Sequence, residues 1–367
     1  MAGLLVHEWI EKSGGAERVL DAMARAFPDA GIQCLWDDAP DRYPGRAVHE
    51  TWLARTPLRR HKALALPFMA PTWRMLKPDQ DVEWMLVGSY VFSHHARQLG
   101  RDVPKYIYAH TPARYIWNPE LDERGDRLGV RAVSPLFRRL DRRRAQEPVA
   151  VAANSAFVRD RIRRAWDRDA VVIHPPVAVD HIQSHADWRT EVTDDAERRT
   201  LDALPEVFVL GASRFVPYKA LDRVIESADL AGIPVVIVGS GPDEARLRDV
   251  AKQANVPVIF VISPSDELLF ALMQQASAFV FPPVEDFGIV PVEAQAAGTP
   301  VVTGPFGGQL ETFVAGVSGV SAASTAPADL ASAISAAIAL EPFDAMALTA
   351  RFRESVFARS IRDFVAQ

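Results

Sequence analysis

The stretch Pro282-Pro283-Val284-Glu285-Asp286-Phe287-Gly288-Ile289-Val290-Pro291-Val292-Glu293-Ala294-Gln295-Ala296-Ala297-Gly298 reads as the end of a strand, a loop and a helix. The apolar run at 278–281 is short enough for a buried parallel strand, two prolines stop it, and Pro291 suits the first turn of the following helix. Glu285 therefore sits on a loop and Glu293 inside a helix. Between them the amides of Phe287, Gly288 and Ile289 lie at a helix N-terminus, where free N–H groups and the positive end of the dipole favour phosphate or partial negative charge. Taken singly, each glutamate also fits a plain role: Glu293 facing solvent on its helix, Glu285 a charged loop residue. The string as a whole speaks against that reading.

A chain of 367 residues exceeds what one hydrophobic core usually supports, so two domains are expected. With 49% apolar residues and a net charge of −6, the composition is that of a globular protein, and no apolar run approaches the ~20 residues of a membrane span. Residues 1–10 lack the basic start, long apolar stretch and small-residue cleavage site of a secretory signal, which predicts a cytoplasmic protein. The single cysteine, Cys34, allows no internal disulfide and offers no metal cluster. The acidic balance argues against a general nucleic-acid binder.

Taken in order, residues 4–10 read as a strand, and Ser13-Gly14-Gly15 opens a helix with Val19, Leu20, Met23 and Phe27 on one face. Glycines at such an entry let amides approach an anion, though many such turns are only tight connections. Residues 51–78 mix Arg59, Arg60, Lys62, Arg74 and Lys77 with Trp52, Phe68, Met69 and Trp73. Two readings fit: a surface lying on an anionic membrane, or a helical insertion whose apolar side joins the core. Residues 84–89 and 103–109 read as buried strands, the second running into His110. A histidine at a strand end is often structural, but the carboxyl end of a parallel strand is where open α/β sheets bind ligands. His94 and His95 have no such context and read as structural or exposed. The run Arg138, Arg139, Arg142, Arg143, Arg144 lies in a helix expected to end at Pro148, and reads first as a solvated face. A strand at 149–153, a helix at 156–166 capped by Asn154-Ser155, and a strand at 171–173 close the first domain at 176. The polar segment 181–199 is expected to pass between domains.

The second domain alternates strands at 207–210, 235–238, 258–262, 278–281 and 301–303 with helical windows, as in a parallel sheet covered on both faces. After its first strand stand Arg214 and Lys219, two cations able to reach a diphosphate together and worth most where a leaving group gathers charge. The string Gly239-Ser240-Gly241-Pro242-Asp243-Glu244 is not a dinucleotide fingerprint, because Glu244 stands where the third glycine belongs. No strand ends in Asp-x-Asp, and Asp37-Asp38 has no second ligand cluster, so no metal is expected. Residues 352–365 read as a last helix with Phe352, Val356, Phe357, Ile361 and Phe364 in phase.

Two glutamates eight positions apart around a Phe-Gly loop resemble the signature of retaining, nucleotide-sugar-dependent glycosyltransferases of family 4. The string Tyr106-Ile107-Tyr108-Ala109-His110-Thr111-Pro112-Ala113-Arg114-Tyr115 is similar to the family branch containing O-antigen mannosyltransferases. The resemblance spans nearly the whole chain. It implies the glycosyltransferase B (GT-B) architecture, an α/β fold of two Rossmann-like domains facing a cleft, at 1–176 and 177–349, with a C-terminal helix at 350–367 crossing back onto the first domain. It implies that Glu285 holds donor-sugar hydroxyls, that Phe287, Gly288 and Ile289 offer amides to sugar and phosphate, and that Glu293 holds the ribose. Gly14 and Gly15 then line the donor phosphates, His110 stands beside the donor sugar, and Arg214 and Lys219 neutralise the departing diphosphate. Residues 262–268 resemble the loop that receives the base, and 304–311 the glycine-rich turn beside the donor pocket. The implied reaction moves a hexose, first mannose from GDP-mannose, to a glycan or lipid-linked hydroxyl by a front-face path, without metal or cofactor. The segment 51–78 adds the expectation of a cytoplasmic protein at the inner face of the plasma membrane. The branch commonly has Arg after the lysine; Ala220 departs from this, which weakens the inference to one donor. The same fold also carries nucleotide-sugar epimerases, and a non-catalytic sugar-nucleotide-binding subunit is the other alternative.

Overall fold

A computed structural model describes residues 2–117 and 128–367 of the chain. They form two compact units, one of residues 1–176 with 354–367 and one of residues 177–353.

In the first unit the strands are β1 (Ala2–His7), β2 (Gly31–Cys34), β3 (Val48–Glu50), β4 (Val82–Ser89), β5 (Lys105–Ala109), β6 (Ala150–Ala153) and β7 (Val171–Val172). They pair in the order β3-β2-β1-β4-β5-β6-β7, every pair parallel. The central strands are buried on both faces, which is why they read as unbroken apolar runs. β1 stops at His7, short of residue 10, because Glu8 turns inward and its carboxylate accepts the amides of Val91 and Ser93 at 2.8 and 2.7 Å. β2 and β3 escaped the sequence reading, being short and lacking an apolar run. Helix α1 (Gly15–Ala26) buries Val19, Leu20 and Met23 against the sheet.

The last helix, Glu354–Val365, belongs to this unit. Phe357, Ile361 and Phe364 recur at helical spacing and are buried, Phe357 edge-on to Tyr108 and Phe364 edge-on to Tyr106. Each such burial is worth about 1.5–3 kcal/mol. Arg25 pairs with Glu354, and Arg362 donates to the Ala26 carbonyl at 3.0 Å, tying the helix to the C-terminal end of α1.

Residues 51–78 fold as two 3-10 turns and helix α2 (Lys62–Trp73). The helical-insertion reading accounts for the side of this segment that joins the core. Leu53, Ala65, Met69 and Trp73 are in the core, whereas Trp52, Leu64, Phe68 and Met75 are exposed. The arginine run lies on the helix Leu128–Arg144, and it is not merely solvated. Arg138 and Arg142 donate to the carbonyls of Ile116 and Ala165 and both lie over the Trp117 ring, while Arg144 pairs with Glu147. Arg139 and Arg143 are exposed.

In the second unit the strands are β8 (Val209–Ala212), β9 (Val235–Gly239), β10 (Val258–Ile262), β11 (Ala278–Phe281), β12 (Val301–Thr303) and β13 (Gly319–Ser321). Their order is β10-β9-β8-β11-β12-β13, again with every pair parallel. The segment 181–199, expected between domains, is instead part of this unit's core. Its three large apolar residues turn inward: Ile182, Trp188 and Val192 are buried, and the Trp188 indole donates to the Ile182 carbonyl at 2.8 Å. High average polarity concealed this. Among the described residues no helix is long and apolar enough to cross a membrane.

Candidate active site

In the second unit β8 has β9 on one side and β11 on the other, so the strand order reverses between β8 and β11. The loops leaving these strands part there, at the position where open α/β sheets bind ligands. Residues 213–220 carry Arg214 and Lys219; residues 282–288 carry Glu285. Lys219 Nζ forms an ion pair with Glu285 Oε1, joining the two loops across the switch point. The ammonium also lies over two aromatic rings, 5.2 Å from the centroid of Tyr218 and 5.7 Å from that of Phe281. Arg214 Nη2 donates to the Tyr218 hydroxyl at 2.8 Å. Ala220, in place of the branch's arginine, has φ 51° and precedes the helix Leu221–Ala231.

The Glu285 loop is held by groups that the sequence reading left without a role. Gln309, fully buried, accepts the Glu285 amide through Oε1 at 3.1 Å and donates Nε2 to the Phe306 carbonyl. The Gly308 amide donates to the Glu285 carbonyl at 2.7 Å. One glutamine thus bolts the glycine-rich turn to the loop of the central motif; the glycine pair before it was the only signal, and it marks a turn rather than a partner. Gly288 has φ 98°, and a Cβ there would come within 2.9 Å of Gln309 Cβ, so the helix Ile289–Ala296 can start this close only from glycine. Phe287 turns its ring into the core, 5.5 Å from Phe352. Glu293 is only 4% exposed, so the solvent-facing reading of this glutamate fails. Beside the loop is a cavity of about 250 Å³ lined by Val284, Gly304, Phe306 and Thr325. Gly239 also gains its reason: a Cβ there would meet the Ser213 carbonyl oxygen at 1.9 Å, so it serves the close approach of the β8 loop.

In the first unit the order reverses between β1 and β4. His110 follows β5, its amide bonded to the Ser89 carbonyl at 2.8 Å. Its ring lies among Tyr108, Tyr90 and His7, with centroids 5.3, 5.8 and 6.4 Å away. Burial pushes its pKa down to about 4, so the imidazole is neutral near pH 7. Gly14 precedes α1, and the Glu17 carboxyl lies where a Gly14 Cβ would point, 2.1 Å away. That carboxyl accepts the Glu11 amide at 3.3 Å, and burial raises its pKa. The start of α1, at Gly14 and Gly15, thus already holds an acidic group of the chain itself.

His94 and His95 are buried, which excludes the exposed reading. With Asp141 they form, among the described residues, a group at metal-ligand spacing. Polar contacts to Asp141 account for it: the indoles of Trp117 and Trp166 both donate to Oδ2 at 2.7 Å, His95 Nε2 is hydrogen-bonded to Oδ1 at 3.1 Å, and His94 Nε2 lies 2.8 Å from Oδ1 as a close charge contact. Burial alone would raise the Asp141 carboxyl, but His94 and His95 outweigh it and hold it below the ordinary range. Asp38 of the acidic pair in the 37–38 loop is engaged by Arg59.

Two Rossmann-like α/β units with parallel sheets define the GT-B class of fold. Residues 13–181 match the family model "Glycosyltransferase Family 4" and residues 193–354 match "Glycosyl transferases group 1". The chain belongs to glycosyltransferase family 4 and is a glycosyltransferase. It is 24% identical over 304 residues to the O-antigen chain mannosyltransferase C of Escherichia coli, covering 79% of this chain and 75% of that protein. It is 32% identical over 220 residues to the GDP-mannose-dependent alpha-(1-6)-phosphatidylinositol monomannoside mannosyltransferase of Mycolicibacterium smegmatis, covering 53% of this chain and 56% of that one. Among solved structures, Anabaena HepE in complex with UDP and glucose superposes with a TM-score of 0.73 at 20% identity over 99% of both chains. Sucrose-phosphate synthase from Thermosynechococcus elongatus gives 0.72 at 18% identity, over 100% of this chain and 99% of that one. These last two likenesses bear on the fold alone.

Proposed function

We propose that this glycosyltransferase moves mannose from GDP-mannose to a hydroxyl of a glycan or lipid-linked acceptor, with retention at the anomeric carbon. The observation that carries the reading is the Lys219–Glu285 ion pair bridging the two loops of the switch point, one partner suited to a diphosphate and the other to sugar hydroxyls. The names of the two mannosyltransferase relatives support the donor. In this reading Glu285 orients the hexose and is not a nucleophile. Lys219 and Arg214 meet charge that grows on the diphosphate as the glycosidic bond breaks, and the leaving phosphate takes the acceptor proton. Phe287, Gly288 and Ile289 contribute amides, the buried Glu293 takes the ribose, His110 stands by the sugar, and Gly14 and Gly15 border the phosphates. Two cations and a helix N-terminus neutralise the diphosphate, so turnover requires no metal. The exposed apolar residues of α2 and the turn before it, with the neighbouring basic side chains, rest on an anionic membrane surface at the cytoplasmic face.

The test is a thermal-shift screen against GDP, UDP, ADP and their sugars, followed by product analysis with the selected donor. GDP and GDP-mannose should raise the melting temperature most, since a ligand bound only to the folded state stabilises it. A free epimerised sugar nucleotide formed without acceptor would overturn the transfer reading, and stabilisation by UDP-sugars alone would overturn the donor.

A further inference from the structure

His7 closes β1, Gly88 pairs with it in β4, and Tyr108 pairs with Gly88 in β5, two residues before His110. Two histidines thus flank one glycine at the carboxyl edge of the first sheet. Their rings are 6.4 Å apart at 82°, and Tyr90 packs edge-on to both. His7 is 1% exposed, and the Nε2 atoms of both rings are buried without a hydrogen-bond partner among the described residues. A Cβ on Gly88 would lie 3.2 Å from His7 Nδ1 and 3.6 Å from His110 Nε2. Both nitrogens therefore converge on the point that a side chain at Gly88 would fill. On the other side of His7, Nε2 faces Glu17 Oε1 at 4.0 Å.

Burial pushes His7 down to about 3 and His110 to about 4, so both rings are neutral near pH 7, each with one donor and one acceptor nitrogen. The Glu17 carboxyl favours the proton of His7 on Nε2, which makes Nδ1 an acceptor. A water seated over Gly88 between the two nitrogens would donate to His7 Nδ1 and accept from His110 Nε2–H. His110 Nδ1 is left as the acceptor.

We propose that His7 is a positioning residue that holds His110 in its Nε2-protonated tautomer through a water bridging over Gly88, so that His110 presents Nδ1 to a sugar hydroxyl. The catalytic consequence rests on the reading that His110 meets the donor sugar; the tautomer does not.

The experiment uses the full chain labelled with nitrogen-15 histidine, the His110 signals being assigned by their loss in His110→Asn. The unsubstituted protein should show His110 as the Nε2–H form. His7→Phe, which keeps ring bulk but removes both nitrogens, and Gly88→Ala, which fills the bridging point, should each shift His110 toward a mixture. Both should lower kcat at least about tenfold, with KM for the nucleotide sugar and affinity for the nucleoside diphosphate little changed. His7→Asn, whose side-chain oxygen stands near the place of Nδ1, should recover part of the rate. His110 signals of the Nδ1–H form, or signals untouched by both substitutions, would overturn the proposal. Should His7→Phe fail to fold, Gly88→Ala decides from the opposite side. If the unsubstituted chain transfers no sugar from any donor, the activity reading has failed while the spectrum still decides on His7.

Discussion

At Glu285 a single carboxylate answers both to a cation of its own chain and, in the proposed reaction, to a sugar. The Lys219 ion pair makes substitutions there diagnostic. Lys219→Ala should weaken GDP and GDP-mannose alike by about 1.5–3 kcal/mol, roughly ten- to a hundredfold, because both carry the phosphates. Glu285→Ala should leave GDP affinity intact or raise it, since the ammonium loses a competing anion, while transfer falls by roughly a hundredfold or more. Calorimetric titration of both variants with both ligands makes the comparison, and equal weakening of GDP by the two would remove Glu285 from the sugar. Gln309→Ala tests the bolt behind the loop. It leaves the Glu285 amide without its acceptor and should cost about 1–3 kcal/mol in urea unfolding, together with turnover; a variant of normal stability and rate would show that the loop holds its shape without it.

Among the described elements, α2 with the turn before it carries a group of exposed apolar side chains at odds with an aqueous exterior. Trp52, Leu64, Phe68 and Met75 are all exposed, close in sequence to Arg59, Arg60, Lys62 and Lys77. Co-sedimentation with anionic vesicles should be strong at low salt and fall as salt rises, because screening shortens the reach of surface charge. Leu64→Ser with Phe68→Ser should weaken it without altering donor binding. Equal indifference to anionic and neutral vesicles would make the segment ordinary structure. The helix Ile289–Ala296 makes the contrasting case, where nothing at its start has room to vary. Gly288→Ala places a side chain at positive φ against Gln309 and should cost about 1–3 kcal/mol, read from the urea midpoint. A midpoint equal to that of the unsubstituted protein would mean the loop relaxes freely.

For the whole molecule, the buried histidines are unevenly shared. His7, His95 and His110, all in the first unit, are pushed down by burial to about 3, 4 and 4. Between pH 6.5 and 4 the unfolded chain binds protons at these positions and the folded chain does not. Folding stability is therefore lost as pH falls through this window, by about 1.4 kcal/mol per pH unit for each group. Glu8 and Glu17, raised by burial, act in the opposite sense: their contribution is present at low pH and lost as pH rises, so they offset part of the decline. Seven of the eight tryptophans lie in the first unit, Trp188 being the exception, so indole fluorescence reports mainly on that unit. Its urea midpoint should be clearly lower at pH 5 than at pH 7; a midpoint unchanged or higher at pH 5 would contradict the histidine account.

The sequence by itself determined the two parallel sheets, because strands buried on both faces must be continuous apolar runs and the turns between them carry their own glycine and proline chemistry. It also determined the family, through the Glu285–Glu293 string and the His110 string, whose spacing is local and survives without coordinates. What needed the tertiary structure were relations between residues far apart in the chain. Gln309 reaching back to Glu285, Trp188 turning a polar segment into core, Asp141 gathering two histidines and two indoles, and His7 facing His110 across Gly88 all join separate elements. A hydrogen bond or a buried contact between such residues leaves no periodicity in the sequence, since its partners are brought together only when the sheet order and the packing of the helices are already fixed.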